Sequence, residues 1–211
     1  MRDALDLKRV MILVVFASAP AAIVGMWNTG FQANMAMQGL GIAGIEGWRG
    51  TLLLLLGAGY DPNSLYDCIL QGALYFVPIY VVTMFVGLFW EVLFAGVRNH
   101  EVNEGFFVTG WLYALILPAT IPLWQVAVGI TFAVIVGKEV FGGTGKNFVN
   151  IALLGRAFLY FAYPAQISGD AVWTAADGFT GATALGAAAL EGMQGIQAIG
   201  LSWTEAFIGQ M

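Results

Sequence analysis

The sequence predicts an all-α, polytopic membrane protein of about five transmembrane segments, two of them short or discontinuous around Pro118 to Pro122. Three observations predict it. Apolar residues make up 59% of the 211 residues and charged ones only 10%, with a mean hydropathy of +0.80; a soluble domain of this size carries roughly a quarter charged residues. Four apolar regions, 10–27, 69–97, 106–137 and 148–163, approach or exceed the roughly 20 residues that cross a hydrocarbon layer. The third spans 32 residues and holds both Pro118 and Pro122. Paired prolines remove backbone donors and break a helix there, so this region divides into two short, tilted or discontinuous halves.

Taken in order, the first region follows Arg2, Lys8 and Arg9. It is too long for a signal peptide and lacks a small-residue cleavage site, so it reads as a retained span. The run Leu52 to Leu56 is below spanning length and reads as re-entrant or interfacial. With the N-terminus inside, alternation of five segments puts Arg2, Lys8, Arg9, Arg98, Lys138 and Lys146 in cytoplasmic segments and only Arg49 in an outer loop. That asymmetry is what the positive-inside rule requires. By the same parity the chain emerges on the outer, periplasmic face after Tyr163. The whole chain then reads as one membrane domain, with transmembrane segments over 1–163 and an outer-face segment over 164–211. From Ala184 onward Gly, Ala and Gln dominate, and Ser202 to Met211 is weakly amphipathic without a further span.

The inventory of reactive groups is thin. A net charge of −5 spread over few ionisable groups is no footprint for nucleic acid, and one cysteine, Cys68, builds neither a disulfide nor a Cys-rich metal site within the chain. Partners are therefore lipid, other membrane subunits or a buried cofactor. His100, the only histidine, lies in a loop with no shaped site around it. Gly39-Leu40-Gly41-Ile42-Ala43-Gly44 matches a dinucleotide fingerprint without the strand that gives it meaning. Gly142-Gly143-Thr144-Gly145-Lys146-Asn147 echoes a phosphate-binding loop but has Val140 and Asn147 at two essential positions. It reads either as a plain helix connector or as a turn whose N–H groups cradle an anion.

Charges inside the spans carry more information. Glu91 and Arg156 each lie in an otherwise uncharged apolar segment, where a lone charge costs at least about 2.5 kcal/mol. Measured at ~1.5 Å per residue, they lie about 10 and 15 Å from the cytoplasmic ends of their helices. Either they pair with each other to fix packing, or Glu91 is a cation ligand or gate. Asn147 and Asn150 begin the last segment three residues apart and share a face; one suits a helix cap, and a second inward amide suits a polar ligand. In Asp177-Gly178-Phe179-Thr180-Gly181-Ala182-Thr183 the small residues leave the Thr183 hydroxyl open to a modifying enzyme and a bulky phosphate, although such a run is by itself a linker.

Four blocks, 89–94, 100–109, 138–147 and 161–170, closely resemble the B-type membrane subunit of the sodium-translocating NADH:quinone oxidoreductases. The similarity runs from Arg2 to about Phe207. The homologous subunit of the related Rnf electron-transport complexes has the same attachment motif, but Phe107-Val108-Thr109 favours the sodium pump. The resemblance implies an FMN joined by a phosphoester to Thr183 on the outer side, with Asp177 and Gly181 in the attachment motif and a separate flavin transferase to install it. It further implies a non-covalent riboflavin near Asn147, Asn150 and Arg156, a ubiquinone region at Gly87 and Leu88, and sodium uptake assisted by Glu91. Function follows as implied: a flavin-carrying subunit of a multi-subunit translocase in a bacterial inner membrane, passing electrons from NADH through FMN and riboflavin to ubiquinone as Na+ is exported. Thr180 replaces the family's usual serine, and Leu88 replaces a glycine. Family members have about twice as many membrane segments, so the chain is expected to be an N-terminal half that cannot pump alone. A passive channel or permease built on the paired short segments, or an inert anchoring fragment, is the other reading.

Overall fold

The computed structural model describes residues 7–45, 47–99, 105–143, 145–168, 172, 174, 188, 192–198 and 202–208. Among them the chain is all helix and turn, with no strand. Helix α1, Leu7–Leu40, and α3, Leu65–Arg98, each have 34 residues, about 51 Å of helix and more than a bilayer needs. Between them α2, Trp48–Leu55, has only 8. The third apolar region is divided as expected into α4, Gly105–Ile116, and α5, Leu123–Val134, which runs on into a π-helical turn over Ile135–Glu139. Helix α6, Ile151–Ala162, is followed by the short helices α7, Pro164–Ile167, α8, Met193–Ala198, and α9, Trp203–Ile208. This is an all-α polytopic membrane protein.

The prolines explain why two apolar runs stay whole and one does not. Helices α1 and α3 pass unbroken through Pro20 and Pro78, since a lone proline frees few backbone groups and its neighbours can re-satisfy them. Pro118 and Pro122 stand about one turn apart and free adjacent rungs together. The chain closes instead into a turn, Ile121 N–H donating to Pro118 O at 3.3 Å, and Pro122 becomes the extended cap (φ −61°, ψ 132°) that starts α5.

Boundaries differ from the sequence reading where caps override hydropathy. The first span continues 13 residues past Trp27, to Leu40, ending at Gly41 with φ +68°; the dinucleotide-like glycines are thus a helix edge. Helix α3 is started by Ser64, whose side chain accepts from Asp67 N–H, and stopped by Asn99 in the left-handed region. The last segment is shorter than 148–163. Asn150 caps its start by accepting from Leu153 N–H at 3.2 Å, and Pro164 follows its end. At 12 residues, α6 is about 18 Å long and, like α4, is shorter than the hydrocarbon layer is thick.

Helix α3 is the hub. Its first half crosses α1 so closely that a Cβ on Gly72 would lie 1.8 Å from the backbone oxygen of Met26, and one on Gly30 would lie 2.0 Å from that of Cys68. Its second half takes α4 antiparallel, with Phe106 set on Gly87, and α5 parallel, with Trp90 Nε1 donating to Thr131 Oγ1 at 3.0 Å. Helix α6 returns along α5, its Gly155 facing Tyr113 and Ala133. The buried core joins Ile79, Phe106, Tyr113, Val126, Ile130, Val134 and Leu159.

Candidate functional site

Along α3 the buried residues recur every four positions, Ile79, Thr83, Gly87, Glu91 and Ala95, which keeps a helix stripe on one side. The stripe faces α4 and α5. Glu91 is 3% exposed and Lys138 equally so, and Lys138 Nζ donates to Glu91 Oε1 in a buried ion pair. Beside it a second pair closes the same end: Arg98 donates from Nη1 to Glu139 Oε2 at 3.1 Å and from Nη2 to the Glu139 carbonyl at 2.6 Å. Glu139 is fully covered while the Arg98 side chain stays 35% exposed.

Lys138 and Glu139 both come from the π-helical turn. The wider turn, closed by Val140 N–H donating to Ile135 O at 2.9 Å, buries Gly137, Lys138 and Glu139 together. Gly137 lets Leu154 pack close, since a Cβ there would lie 2.5 Å from Leu154 Cδ2 and would make that side chain shift.

Several expectations are corrected here. The Glu91–Arg156 pair does not form: Arg156 is exposed on α6, and Lys138 takes its place. Lys138, expected in a cytoplasmic connecting segment, is buried in the π-turn, because its counter-ion lies one helix away. Of the two readings open for the Gly142–Gly143 turn, the plain connector holds. Gly142 N–H donates to Glu139 O and Gly143 N–H to Lys138 O, both at 3.0 Å, and both glycines have positive φ; they cap the turn above them. Asn147 and Asn150 do not share a helical face, because the helix begins at Ile151. Asn147 is occupied locally, accepting from Gly145 N–H and donating to Val149 O.

Asn150 uses only its Oδ1 in capping and is exposed, so its Nδ2 is free among the described residues for a carbonyl acceptor. Phe141 and Phe148, exposed and edge-to-face at 4.8 Å, come just before it in the chain. An apolar ring system with carbonyl edges, as in a flavin, fits this surface through Asn150 better than through Asn147. Gly87 is closed by Phe106, whose Cζ is 1.9 Å from where a Cβ would be, and Leu88 is partly exposed. Asp177, Gly181, Thr183 and His100 lie outside the described residues.

Sequence reasoning missed Glu139 and a set of buried polar groups. Asn34 Oδ1, both polar atoms of Gln71, Thr83 Oγ1 and Gln125 Oε1 are buried without a partner among the described residues. The Lys138-Glu139 dipeptide next to an apolar run was a usable signal. For Gln71, Thr83 and Gln125 periodicity gave none, since each reads as an ordinary polar residue in a span.

Two long apolar helices and several shorter ones, with a buried acid–base pair joining α3 to the π-turn after α5, make this an all-α polytopic membrane protein. The chain belongs to the NQR2, RnfD, RnfE family, whose profile matches residues 1–211. It is 63% identical over 210 residues to a protein of Azotobacter vinelandii named as the B-type subunit of Na(+)-translocating NADH-quinone reductase, covering 99% of this chain and 52% of that one. Proteins of the same name from Chromohalobacter salexigens and Pseudomonas aeruginosa are 63% and 60% identical over 208 and 212 residues, covering 50% and 52% of those chains. The chain spans about half the length of the curated relatives it matches.

Proposed function

We propose that this chain forms part of the flavin-carrying membrane subunit of a redox-driven sodium pump in a bacterial inner membrane. In this reading electrons pass from NADH by way of a covalent FMN on Thr183 and a riboflavin to ubiquinone as Na+ is exported, and the chain works with other subunits and a flavin transferase. The observation that carries the reading is 60–63% identity, over nearly the whole chain, to relatives named as a subunit of such a reductase. Their name also favours the sodium pump over the Rnf homologue, which the family shares. The N-terminus is cytoplasmic and Thr183 periplasmic, a sidedness supported by α1 and α3 running antiparallel and by Arg98 and Lys138 lying at one end of the bundle.

The flavins and the quinone supply the redox chemistry when bound; the chain's own residues position and balance charge. Thr183 offers the hydroxyl for the phosphoester, with Asp177 and Gly181 in its attachment motif. Asn150 offers Nδ2 to a riboflavin carbonyl beside Phe141 and Phe148, while Asn147 shapes the turn and Arg156, exposed on α6, supplies positive charge nearby. Gly87 and Leu88 border the quinone region, and Gly87 lets Phe106 close on α3. Glu91 is the acid for sodium: a buried carboxylate in an apolar helix is retained where a cation must pass, and its partner must be exchanged for the ion.

The test is in-gel fluorescence of the denatured band after co-expression with the flavin transferase. A fluorescent wild type and a dark Thr183→Leu variant support attachment there. A dark wild-type band would favour the permease reading, for which the divided helix at Pro118 to Pro122 is the specific observation.

A further inference from the structure

The Glu91–Lys138 pair does more than neutralise two charges. Its base is a lysine, a single point charge on a flexible four-carbon stem, matching an alkali ion in charge. Its acid is fixed on the long helix α3, whereas the lysine sits on a turn whose own anchorage is separate. Glu139 holds that turn to α3 by two bonds from Arg98, and Gly142 and Gly143 cap it. The turn therefore keeps its place whether or not Lys138 stays on Glu91. Further along the bundle, Thr83 Oγ1 on α3 and Gln125 Oε1 on α5 are buried oxygens without donors among the described residues. Unpartnered oxygens between helices suit a cation shedding its water.

We propose that Lys138 is a tethered surrogate for sodium: its ammonium occupies the place on the Glu91 carboxylate that the ion takes, and sodium binds only as Lys138 withdraws. This rests on the reading of Glu91 as the sodium acid. The exchange keeps one positive charge beside Glu91 in both states, so neither leaves a bare carboxylate in the bundle. The stem can retract toward the partly exposed end of the bundle, as long cationic side chains do at helix ends. Competition from Lys138 then scales the apparent sodium affinity by the fraction of time the carboxylate is free of it.

The experiment uses the assembled complex carrying Lys138→Met, Lys138→Arg or Glu91→Gln. Two readouts are followed against sodium, with choline as the control: thermal midpoint of the purified complex and quinone reduction. Lys138→Met removes the competitor, and the half-saturating sodium concentration in both readouts falls by about tenfold or more. Lys138→Arg holds the carboxylate with a two-pronged guanidinium, and that concentration rises. A purely structural pair would give no such opposite shifts. Equal sodium dependence in wild type and both lysine variants, with Glu91→Gln still abolishing it, overturns the surrogate role and leaves Glu91 as the ion's ligand. Sodium dependence surviving in Glu91→Gln overturns the underlying reading and the surrogate with it. Should Lys138→Met not assemble, Lys138→Arg decides alone: a raised concentration supports the proposal and an unchanged one ends it.

Discussion

Helices α1 and α3 have the same length and nearly the same hydropathy, 2.2 and 2.0 in their most apolar stretches, yet they do different work. In that stretch 6% of α1 is buried against 28% of α3. Val10, Ile12, Leu13, Phe16, Ile23 and Val24 of α1 are exposed and face the surroundings of the bundle. Helix α3 carries a stripe of small and polar residues, Thr83, Gly87 and Glu91 among them, against which α4 and α5 pack. Hydropathy measures how well a helix suits lipid; what makes one a hub is where it departs from apolarity.

The contrast can be broken by substitution, and the largest effect falls on the ion pair. Glu91→Ala leaves the Lys138 ammonium buried without its carboxylate, and loss of one partner of such a pair costs about 3–5 kcal/mol. A steep drop in the thermal midpoint of the purified complex is expected, with the double substitution Glu91→Ala, Lys138→Met recovering much of it. Next comes the helix crossing. Gly72→Ala puts a methyl 1.8 Å from a backbone oxygen of α1 that has no rotamer to move, and forced separation costs about 1–3 kcal/mol. Gly25→Ala on α1 meets nothing within 4 Å and should stay within about 0.5 kcal/mol of wild type. Equal losses at the two glycines would contradict the close crossing of α1 and α3 at Gly72.

Smaller still is Trp90→Phe, which gives up the 3.0 Å bond to Thr131; interhelical hydrogen bonds of this kind average about 0.6 kcal/mol. The mildest effect lies outside both helices, at Glu205. Its carboxylate accepts from the Ser202 hydroxyl at 2.7 Å and the Ser202 N–H at 2.8 Å, while Glu205 N–H donates back to Ser202 Oγ. This capping box holds the carboxyl below its ordinary pKa, chiefly through the Ser202 side chain. Because the folded value is the lower one, the stabilisation is present above the unfolded-state pKa and is lost as pH falls through the folded value. Amide protection in α9, taken relative to the intrinsic exchange rate at each pH, should therefore fall at acid pH in wild type, and a pH-independent protection would exclude the box.

Much of this was legible in the sequence because composition alone decides between lipid and water. Prolines a turn apart divided the third region where the structure divides it, and Glu91 stood out as a charge that lipid would not tolerate. Its partner was not legible. Arg156 and Lys138 are both cations at plausible depth, and the choice depends on a π-turn that no periodicity announces, since one extra residue in a turn leaves no trace in a pattern of apolar positions. That one of Asn147 and Asn150 caps the last helix was readable and which of them was not, because the start of α6 is set by that cap and not by the apolar residues before it.

The division of labour between the two helices is tested most directly by sodium stimulation of quinone reduction in the assembled complex, comparing Glu91→Gln on α3 with Ser18→Ala on α1. Ser18 accepts from Trp111 Nε1 at 2.7 Å but holds no charge. Loss of sodium stimulation in the first variant and its retention in the second is the predicted result. An assembled Glu91→Gln complex that responds to sodium as wild type does would contradict the account.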